Sequence, residues 1–298
     1  MLNFRRVTLE DESIIRKYFS ETPRAQLNYC FEVLYLWRDV CEFEICEYDG
    51  FLIIKTFIEC NHNFLFPLGK GGNLKQVFDL MKQYAESHYC TFNMFQINDE
   101  EKEWFELNMT DRCSFEAVRE EFEYVYLRDR LANLSGKKLQ PKRNHINALE
   151  KEYSWNYEPI TMDNIQECCQ VNSQWISEHT TGFDRQMEME NTALCNALAE
   201  FSNLQIQGGA LRVNGKIEAF SLGCPLTEDT YLVLFEKANA HIRGAYPLMN
   251  REFIRHAVPE SFTFINRAED AGEEGLRQAK LSYIPDKLEP LYKLTCLK

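Results

Sequence analysis

The segment RDRLANLSGKKLQPKRNHINALEK, residues Arg128–Lys151, lies near the middle of the chain and differs from its surroundings in charge. It contains seven basic and two acidic residues, whereas the whole chain of 298 residues has a formal net charge of −13. Ser135-Gly136 interrupts regular structure, and Pro141 suits the first turn of a helix, where its missing N–H costs nothing. The segment therefore predicts a strand end, a turn and a basic helix between two folded halves.

The basic residues of this segment gather where the helix is predicted to begin. Backbone N–H groups at a helix start attract anions, and neighbouring Lys and Arg side chains can add direct hydrogen bonds. The segment therefore predicts a site for phosphate or another anion, although a solvated basic turn is an open alternative. The residues predicted to bind the anion are Lys137, Lys138, Lys142 and Arg143.

The composition is that of a chain with large hydrophobic cores. Hydrophobic residues make up 45% and aromatic residues 13% of a length that suits two domains. No apolar run approaches the length of a membrane span, and the N-terminus lacks the apolar centre of a signal peptide, so we expect a cytoplasmic protein without a membrane span. The negative net charge argues against broad nucleic-acid binding and against a DNA partner.

The eleven cysteines and six histidines do not form a metal-binding pattern. The sequence contains neither C-x-x-C nor H-E-x-x-H, and the histidines are scattered. We therefore expect no metal site. An odd number of cysteines without an export signal predicts reduced, mostly buried thiols.

The two halves on either side of the basic segment repeat one order of elements. Each half reads as two helices, a hairpin, a third strand, a helix, a strand, a helix and a strand, and the hairpin turns are Asp49-Gly50 and Asn214-Gly215. This order predicts an α/β (α+β) protein with two tandem units, each a mixed sheet flanked by helices. The predicted divisions are an N-terminal domain at 1–130, a basic connecting helix at 131–155 and a C-terminal domain at 156–298.

Polar groups concentrate in INRAEDAGEEGLRQAKLSYIP, Ile265–Pro285. The segment reads as a strand end, a loop and a short helix, and α/β folds place ligands at such strand ends. Helix capping by the acids, with solvated Arg and Lys side chains, is the open alternative. The residues predicted to contact a ligand are Asn266, Asp270, Arg277 and Lys280.

Glu236 ends the preceding predicted strand, and we expect it to face Asn266 across the sheet edge. A carboxylate in that position would orient or deprotonate an attacking amine. A structural ion pair with Arg243 or Arg277 is the alternative role for Glu236.

The order of elements is that of the GNAT acyltransferase fold. At finer grain the chain resembles a bacterial family related to the C-terminal domain of phosphatidylglycerol lysyltransferases, which contains two GNAT-like domains in tandem. The stretches that carry the resemblance are Gly136–Tyr153, Phe235–Phe253 and Ile265–Pro285 with its N-R-x-E-D-x-G motif.

The resemblance implies a transferase that moves an acyl or aminoacyl group to an amine or hydroxyl of a small-molecule or peptide acceptor. Wider relatives include peptidyltransferases that take an amino acid from aminoacyl-tRNA. The donor substrate implied is aminoacyl-tRNA or acyl-CoA, with tRNA as a partner, and no cofactor is implied to be permanently bound.

One motif departs from the pattern of acyl-CoA enzymes with this fold. Those enzymes hold the CoA pyrophosphate on a Q/R-x-x-G-x-G/A loop before a helix, whereas this chain has His241-Ile242-Arg243-Gly244-Ala245-Tyr246. Arg243, Gly244 and Tyr246 are the implied second anion-binding point, but the bulk of Tyr246 favours an aminoacyl-tRNA donor over CoA.

Two functions are therefore open from the sequence. In the first, a transferase, Glu236, Asn266 and Asp270 line the reacting end. In the second, a non-catalytic binding module, the chain holds a phosphate-bearing ligand or an RNA end, which the motif departure and the lack of an obvious catalytic residue favour. In both, we expect the N-terminal copy to be mainly structural.

Overall fold

A computed structural model describes residues 2–58, 60–109, 113–179 and 184–296. The elements of the first half are β1 (Arg5–Arg6), α1 (Glu12–Glu21), α2 (Phe31–Leu36), β2 (Glu44–Tyr48), β3 (Phe51–Ile58), β4 (Asn61–Phe64), β5 (Leu68–Gly69), α3 (Leu74–Ser87), β6 (Asn93–Ile97), α4 (Asp99–Asn108), β7 (Cys113–Ala117) and β8 (Glu123–Leu127).

The second half begins with two helices, and three consecutive strands follow a second pair of helices. Its elements are α5 (Arg128–Asn133), α6 (Gln140–Glu152), β9 (Trp155–Pro159), α7 (Ile165–His179), α8 (Arg185–Ala199), β10 (Gln207–Val213), β11 (Lys216–Pro225), β12 (Thr230–Ala238), α9 (Ala245–His256), β13 (Phe264–Asn266), α10 (Glu274–Leu281), β14 (Lys287–Glu289) and β15 (Tyr292–Cys296). The predicted α/β class with two mixed sheets is confirmed.

The chain forms two compact units. Unit 1 comprises Met1–Glu123, Glu269–Glu273 and Leu288–Lys298, and unit 2 comprises Tyr124–Ala268 and Glu274–Lys287. These limits differ from divisions at residues 130 and 156. The physical reason is strand pairing, because β8 from the first half belongs to the second sheet, and β15 from the end of the chain belongs to the first.

Each sheet mixes parallel and antiparallel strands. The first has the order β1-β2-β3-β4-β6-β15-β7, with β5 beside β3, and β4 runs parallel to β6. The second has the order β14-β8-β13-β12-β11-β10-β9, and β12 runs parallel to β13. Among the described residues, no helix has both the length and the apolar character needed to cross a bilayer.

Both predicted hairpins are confirmed. Tyr48 pairs with Phe51 around Asp49-Gly50, and Val213 pairs with Lys216 around Asn214-Gly215. Both residues of each turn have positive φ, 50° and 78° in the first and 50° and 88° in the second. Such a turn matches the right-handed twist of the strands that it joins, which fixes the register of both hairpins.

Sequence patterns did not indicate the two-residue strands β1 and β5 or the longer strands β7 and β9, and they predicted one strand where β14 and β15 are separate. Strands β7 and β9 lie at sheet edges, and no residue of either is buried. They lack the alternation of apolar residues that marks a half-buried strand, since backbone pairing with one neighbour holds them.

The expectation of reduced thiols is wrong for one pair of cysteines. Cys113 of β7 and Cys296 of β15 lie directly opposite each other and form a disulfide across a sequence separation of 183 residues. The other nine cysteines are free thiols.

Candidate functional site

The parallel strands β12 and β13 of unit 2 pair over three residues. The pairs run from Thr230–Phe264 to Leu232–Asn266, where β13 ends, whereas β12 continues to Ala238. Asn266 thus lies beside Leu232 and not beside Glu236, so the predicted juxtaposition with Glu236 is wrong. The Asn266 side chain is buried, and its Oδ1 accepts the N–H of Ala268 at 2.8 Å. Asn266 therefore shapes the turn after β13.

The carboxylate of Glu236 lies on the part of β12 that extends past β13, and three donors hold it. Oε1 accepts from Arg267 Nη2 at 3.1 Å, and Oε2 accepts from Asn250 Nδ2 at 3.0 Å and from Ser221 Oγ at 3.4 Å. The side chains of Glu236 and Arg267 are each 10% exposed. Glu236 therefore forms a largely buried ion pair. Its partner is Arg267, whereas the sequence suggested Arg243 or Arg277.

Cationic and aromatic side chains surround this ion pair. The guanidinium of Arg267 lies 4.7 Å from the ring centroid of Tyr283, and Lys142 Nζ lies 4.2 Å from the same ring. Burial, and then the charge of Arg267, lowers the pKa of Lys142, while Glu236 opposes the change. We name Glu236, Arg267, Lys142 and Tyr283 the Glu236 centre.

The other predicted anion-binding residues of the basic segment lie elsewhere. Arg143 donates to the carbonyl oxygens of Leu134 and Gly136, the latter at 3.0 Å, and to Gln140 Oε1 at 2.5 Å. Arg143 therefore holds the turn before α6. The two lysines of the short 3₁₀ helix Lys137–Leu139 are exposed.

Lys280 supports the Glu236 centre from beneath the loop that carries Arg267. Its side chain is 7% exposed, and Nζ donates to the carbonyl oxygen of Arg267 at 2.6 Å. Tyr126 donates from its hydroxyl to the carbonyl oxygen of Lys280 at 2.8 Å. Lys280 thus positions the loop that carries Arg267. Arg277 of α10, which was also predicted to contact a ligand, lies 3.9 Å from Glu274.

Gly244 is required by packing against α6. Its φ is 99°, and a Cβ there would lie 2.5 Å from the carbonyl oxygen of His145. We expect Gly244→Ala to lower the free energy of unfolding by about 2 kcal/mol or more, because both the backbone strain and the clash must be relieved. Denaturant unfolding measures the change. Gly275→Ala is the control, since Gly275 of α10 has open space around it, and equal effects at the two sites would contradict the prediction.

The start of α9 offers few amides to an anion. Ala245 donates its N–H to the carbonyl oxygen of Ile242, and Leu248 donates to that of Gly244, both at 3.0 Å. Pro247 has no N–H. Three of the four residues from 245 to 248 are therefore unable to donate an amide to a phosphate.

Tyr246 and Arg243 were also predicted to bind an anion at the start of α9, and both contact neighbouring side chains. The hydroxyl of Tyr246 accepts from Trp175 Nε1 at 2.8 Å, and burial raises the pKa of Tyr246 to about 12. The exposed Arg243 has Nη2 3.5 Å from His145 Nε2. The sequence already contained Pro247, which is the signal that argues against a phosphate cradle here.

Asp270 lies in unit 1, whereas Glu236 lies in unit 2. The carboxylate of Asp270 is buried, with Oδ2 accepting from Arg119 Nη1 at 2.9 Å and Oδ1 accepting the N–H of Gly272 at 3.0 Å. These contacts are those of a structural carboxylate that fixes a turn.

A second acid of unit 1 gives its stability a pH dependence. Burial, followed by the charges of Glu269 and Glu120, raises the pKa of Glu121 from 4.5 to about 7. Because ionisation is disfavoured in the folded state, stability falls as the pH rises from about 4.5 to 7. We expect Glu121→Gln to add about 3 kcal/mol at pH 8 and almost nothing at pH 4. Denaturant unfolding at the two pH values measures this, and equal gains at both would contradict it.

The architecture defines a tandem GNAT-like protein, and solved structures agree. A tandem GNAT protein from the clavulanic acid biosynthesis pathway is 10% identical, with a TM-score of 0.57 over 99% of this chain and 98% of that one. The structure of L-PGS from Bacillus licheniformis is 17% identical, with a TM-score of 0.65 over 96% of this chain and 92% of that one.

The chain belongs to the family described as phosphatidylglycerol lysyltransferase, C-terminal, which matches residues 19–295. A conserved protein of unknown function from Bacteroides thetaiotaomicron is 35% identical, with full coverage of both chains and a TM-score of 0.92. No curated protein matches the sequence. The resemblance inferred from the sequence is confirmed, and the family makes the chain a transferase of the acyl- or aminoacyl-transferring kind.

Proposed function

We propose that the protein transfers an aminoacyl group from aminoacyl-tRNA to an amine or hydroxyl of a small-molecule or peptide acceptor. The reaction centre proposed is the Glu236 centre, beside the part of β12 that extends past β13. The observation that carries this proposal is the buried Glu236–Arg267 ion pair with Lys142 next to it. Charged groups concentrated in one largely buried place suit a reaction whose transition state develops charge.

The electrostatics near the centre support tRNA rather than acyl-CoA as the donor. The start of α9, where acyl-CoA enzymes hold pyrophosphate, has few amides to offer, and Gly244 packs against α6. The exposed Lys137 and Lys138 provide cations for RNA phosphates.

The proposed transfer is a direct attack of the acceptor on the donor, and no covalent enzyme intermediate is needed. The acceptor nitrogen or oxygen attacks the ester carbonyl carbon, and the bond from that carbon to the ribose oxygen breaks. Lys142, in its neutral form, takes the acceptor proton and returns it to the leaving ribose oxygen. Arg267, oriented by Glu236, stabilises the oxyanion. The three donors that hold Glu236 suit an orienting role better than the role of a base.

Replacement of Lys142 tests the proposed proton transfer. We expect Lys142→Met to lower the turnover of aminoacyl-tRNA about 100-fold or more, with the loss in kcat rather than KM. The wild-type rate should rise with pH through the lowered pKa of Lys142, and the variant should lose this rise. Lys151→Met, an exposed lysine on the same helix, is the control. Wild-type turnover in Lys142→Met would refute the role.

A non-catalytic binding module is the second candidate, favoured by the full engagement of Glu236. Thermal unfolding with acetyl-CoA, CoA and mixed aminoacyl-tRNA, at two salt concentrations, separates the possibilities. Ligand at about one hundred times its Kd adds about 2.7 kcal/mol of stability. We expect a shift with tRNA that weakens steeply with salt. A shift with acetyl-CoA would overturn the proposed donor, and tRNA binding without turnover of any aminoacyl-tRNA would establish the binding module.

A further inference from the structure

The rings of Trp175 and His179 form a stack at the end of α7 in unit 2. Their centroids are 4.2 Å apart, and the ring planes differ by 12°. Nδ1 of His179 donates to the carbonyl oxygen of Trp175 at 2.7 Å, which fixes the imidazole against the indole. The side chain of His179 is exposed, whereas that of Trp175 is half-buried. We name these two rings the α7 stack.

The indole of the α7 stack is also held from its other face. Nζ of Lys237 lies 3.6 Å from the centroid of the Trp175 ring. Two groups this close to one ring centre would overlap on a single face, so Lys237 and His179 lie on opposite faces. Lys237 is 5% exposed and pairs with Glu190 at 2.9 Å, and Trp175 Nε1 donates to the hydroxyl of Tyr246 at 2.8 Å. The accessible face of the stack is therefore the outer face of the imidazole. Because the rings are already fixed, a ligand that stacks on them orders little of the protein.

Polar and cationic side chains connect the α7 stack to the Glu236 centre. His241 Nε2 lies 3.6 Å from Oε2 of Glu178, near the end of α7. Arg243, two residues further along the same loop, is exposed, and its Nη2 lies 3.5 Å from His145 Nε2. Burial, and then the charges of Arg243 and Lys142, lower the pKa of His145, so these three groups are close together. The contacts form a continuous row from the end of α7 to Lys142 of the Glu236 centre.

The charge of unit 2 suits an anionic ligand better than that of unit 1. Lys and Arg against Asp and Glu give 15 − 27 = −12 for unit 1 and 18 − 19 = −1 for unit 2. Unit 1 contains a similar stack, in which the exposed His88 lies 4.2 Å from the ring centroid of Tyr84 and donates from Nδ1 to the carbonyl oxygen of Tyr84 at 2.8 Å. The stack of unit 1 lies in a strongly acidic unit that repels a polyanion. Aromatic faces beside cations are the means by which proteins bind unpaired nucleotides, and the α7 stack has both.

We propose that the α7 stack binds an unpaired base at the 3′ end of the donor tRNA, with Arg243 on a neighbouring phosphate. The inference rests on the proposed function, because it assigns the place where the RNA of that donor is held. Every base has an aromatic face, so the outer face of His179 accepts it by stacking. The guanidinium of Arg243 can contact a phosphate through two N–H groups.

Two labelled RNA hairpins test the stack in binding measurements by fluorescence anisotropy. One carries the unpaired 3′ end C-C-A of tRNA, and the other has a blunt end. We expect the wild-type protein to bind the first about tenfold more tightly, which is the contribution of a stacked base. His179→Ala should remove this difference and leave the Kd of the blunt hairpin unchanged, whereas His179→Phe, which keeps an aromatic ring, should retain it. His88→Ala, at the similar stack of unit 1, is the matched control and should bind both hairpins as the wild type does.

The dependence of binding on salt tests the role of Arg243. Arg243→Met should lower the slope of log Kd against log salt concentration by about one for the hairpin with the unpaired end, because one phosphate contact is lost. The proposal is overturned if the wild type binds both hairpins equally, or if His179→Ala and His88→Ala have equal effects. Turnover of aminoacyl-tRNA separates this result from a failure of the proposed function. Turnover with equal binding of the two hairpins would reject the stack and keep the transferase, whereas binding through His179 without turnover would keep the stack and reject the transferase.

Discussion

Arg267→Met is expected to abolish transfer and to lower the free energy of unfolding of unit 2 by about 3–5 kcal/mol. The substitution leaves the carboxylate of Glu236 buried without its cation, and Asn250 and Ser221 offer only neutral donors. A buried charge that loses its partner costs far more than the pair contributes when intact. Denaturant unfolding measures the loss of stability, and turnover of aminoacyl-tRNA measures the loss of transfer.

The double variant Glu236→Gln with Arg267→Met separates the two effects. Removal of both charges should restore most of the lost stability, because no unpaired ion remains, whereas transfer should stay abolished. Lys216→Met is the control, since the exposed Lys216 pairs with Glu218 at 3.4 Å, and ion pairs at the surface are worth about 1 kcal/mol or less. Full transfer activity in the double variant would show that the ion pair has only a structural role.

Local signals in the sequence predicted much of the fold. The Asp49-Gly50 and Asn214-Gly215 turns fix two hairpins by backbone conformation alone. Strand exchange was not predictable in this way. Tyr292 of β15 pairs with Ala117 of β7 and with Ile97 of β6, which lie 292 − 117 = 175 and 292 − 97 = 195 positions earlier, and no local pattern records such pairings.

The contacts within the Glu236 centre were likewise not predictable from local sequence patterns. Arg267 stood in the stretch that carries the family resemblance, but its pairing with Glu236 depends on β13 ending at Asn266 while β12 continues. Asn250 lies in another stretch that carries the resemblance and Ser221 in ordinary strand sequence, but no local pattern marks either residue as a partner of Glu236.

Charge alone also could not separate ligand contacts from contacts within the chain. Asp270 and Lys280 are polar residues in a loop and a short helix, which predicted a ligand site, yet both are buried and bound to partners that organise the chain. The burial of a polar side chain depends on tertiary packing, which spacing in the sequence does not reveal.

Reduction of the Cys113–Cys296 disulfide is expected to lower the free energy of unfolding of unit 1 by about 2–5 kcal/mol. The disulfide closes a loop across 183 residues and ties β15 to β7 at the edge of the first sheet, so its loss frees a long unfolded chain. Thiol titration of the denatured protein should give nine thiols before reduction and eleven after.

The part of the structure that reduction of the disulfide destabilises is a sharper test than the size of the stability loss. Hydrogen exchange should accelerate on β15 and β7 after reduction, while β10 and β11 of unit 2 keep their protection, because only the first sheet contains the disulfide. Cys296→Ser should reproduce the effect of reduction, and Cys60→Ser, which removes an exposed free thiol of the same unit, should not. Eleven thiols before reduction, or equal stability of Cys296→Ser and the oxidised protein, would show that β15 is held by strand pairing and packing alone.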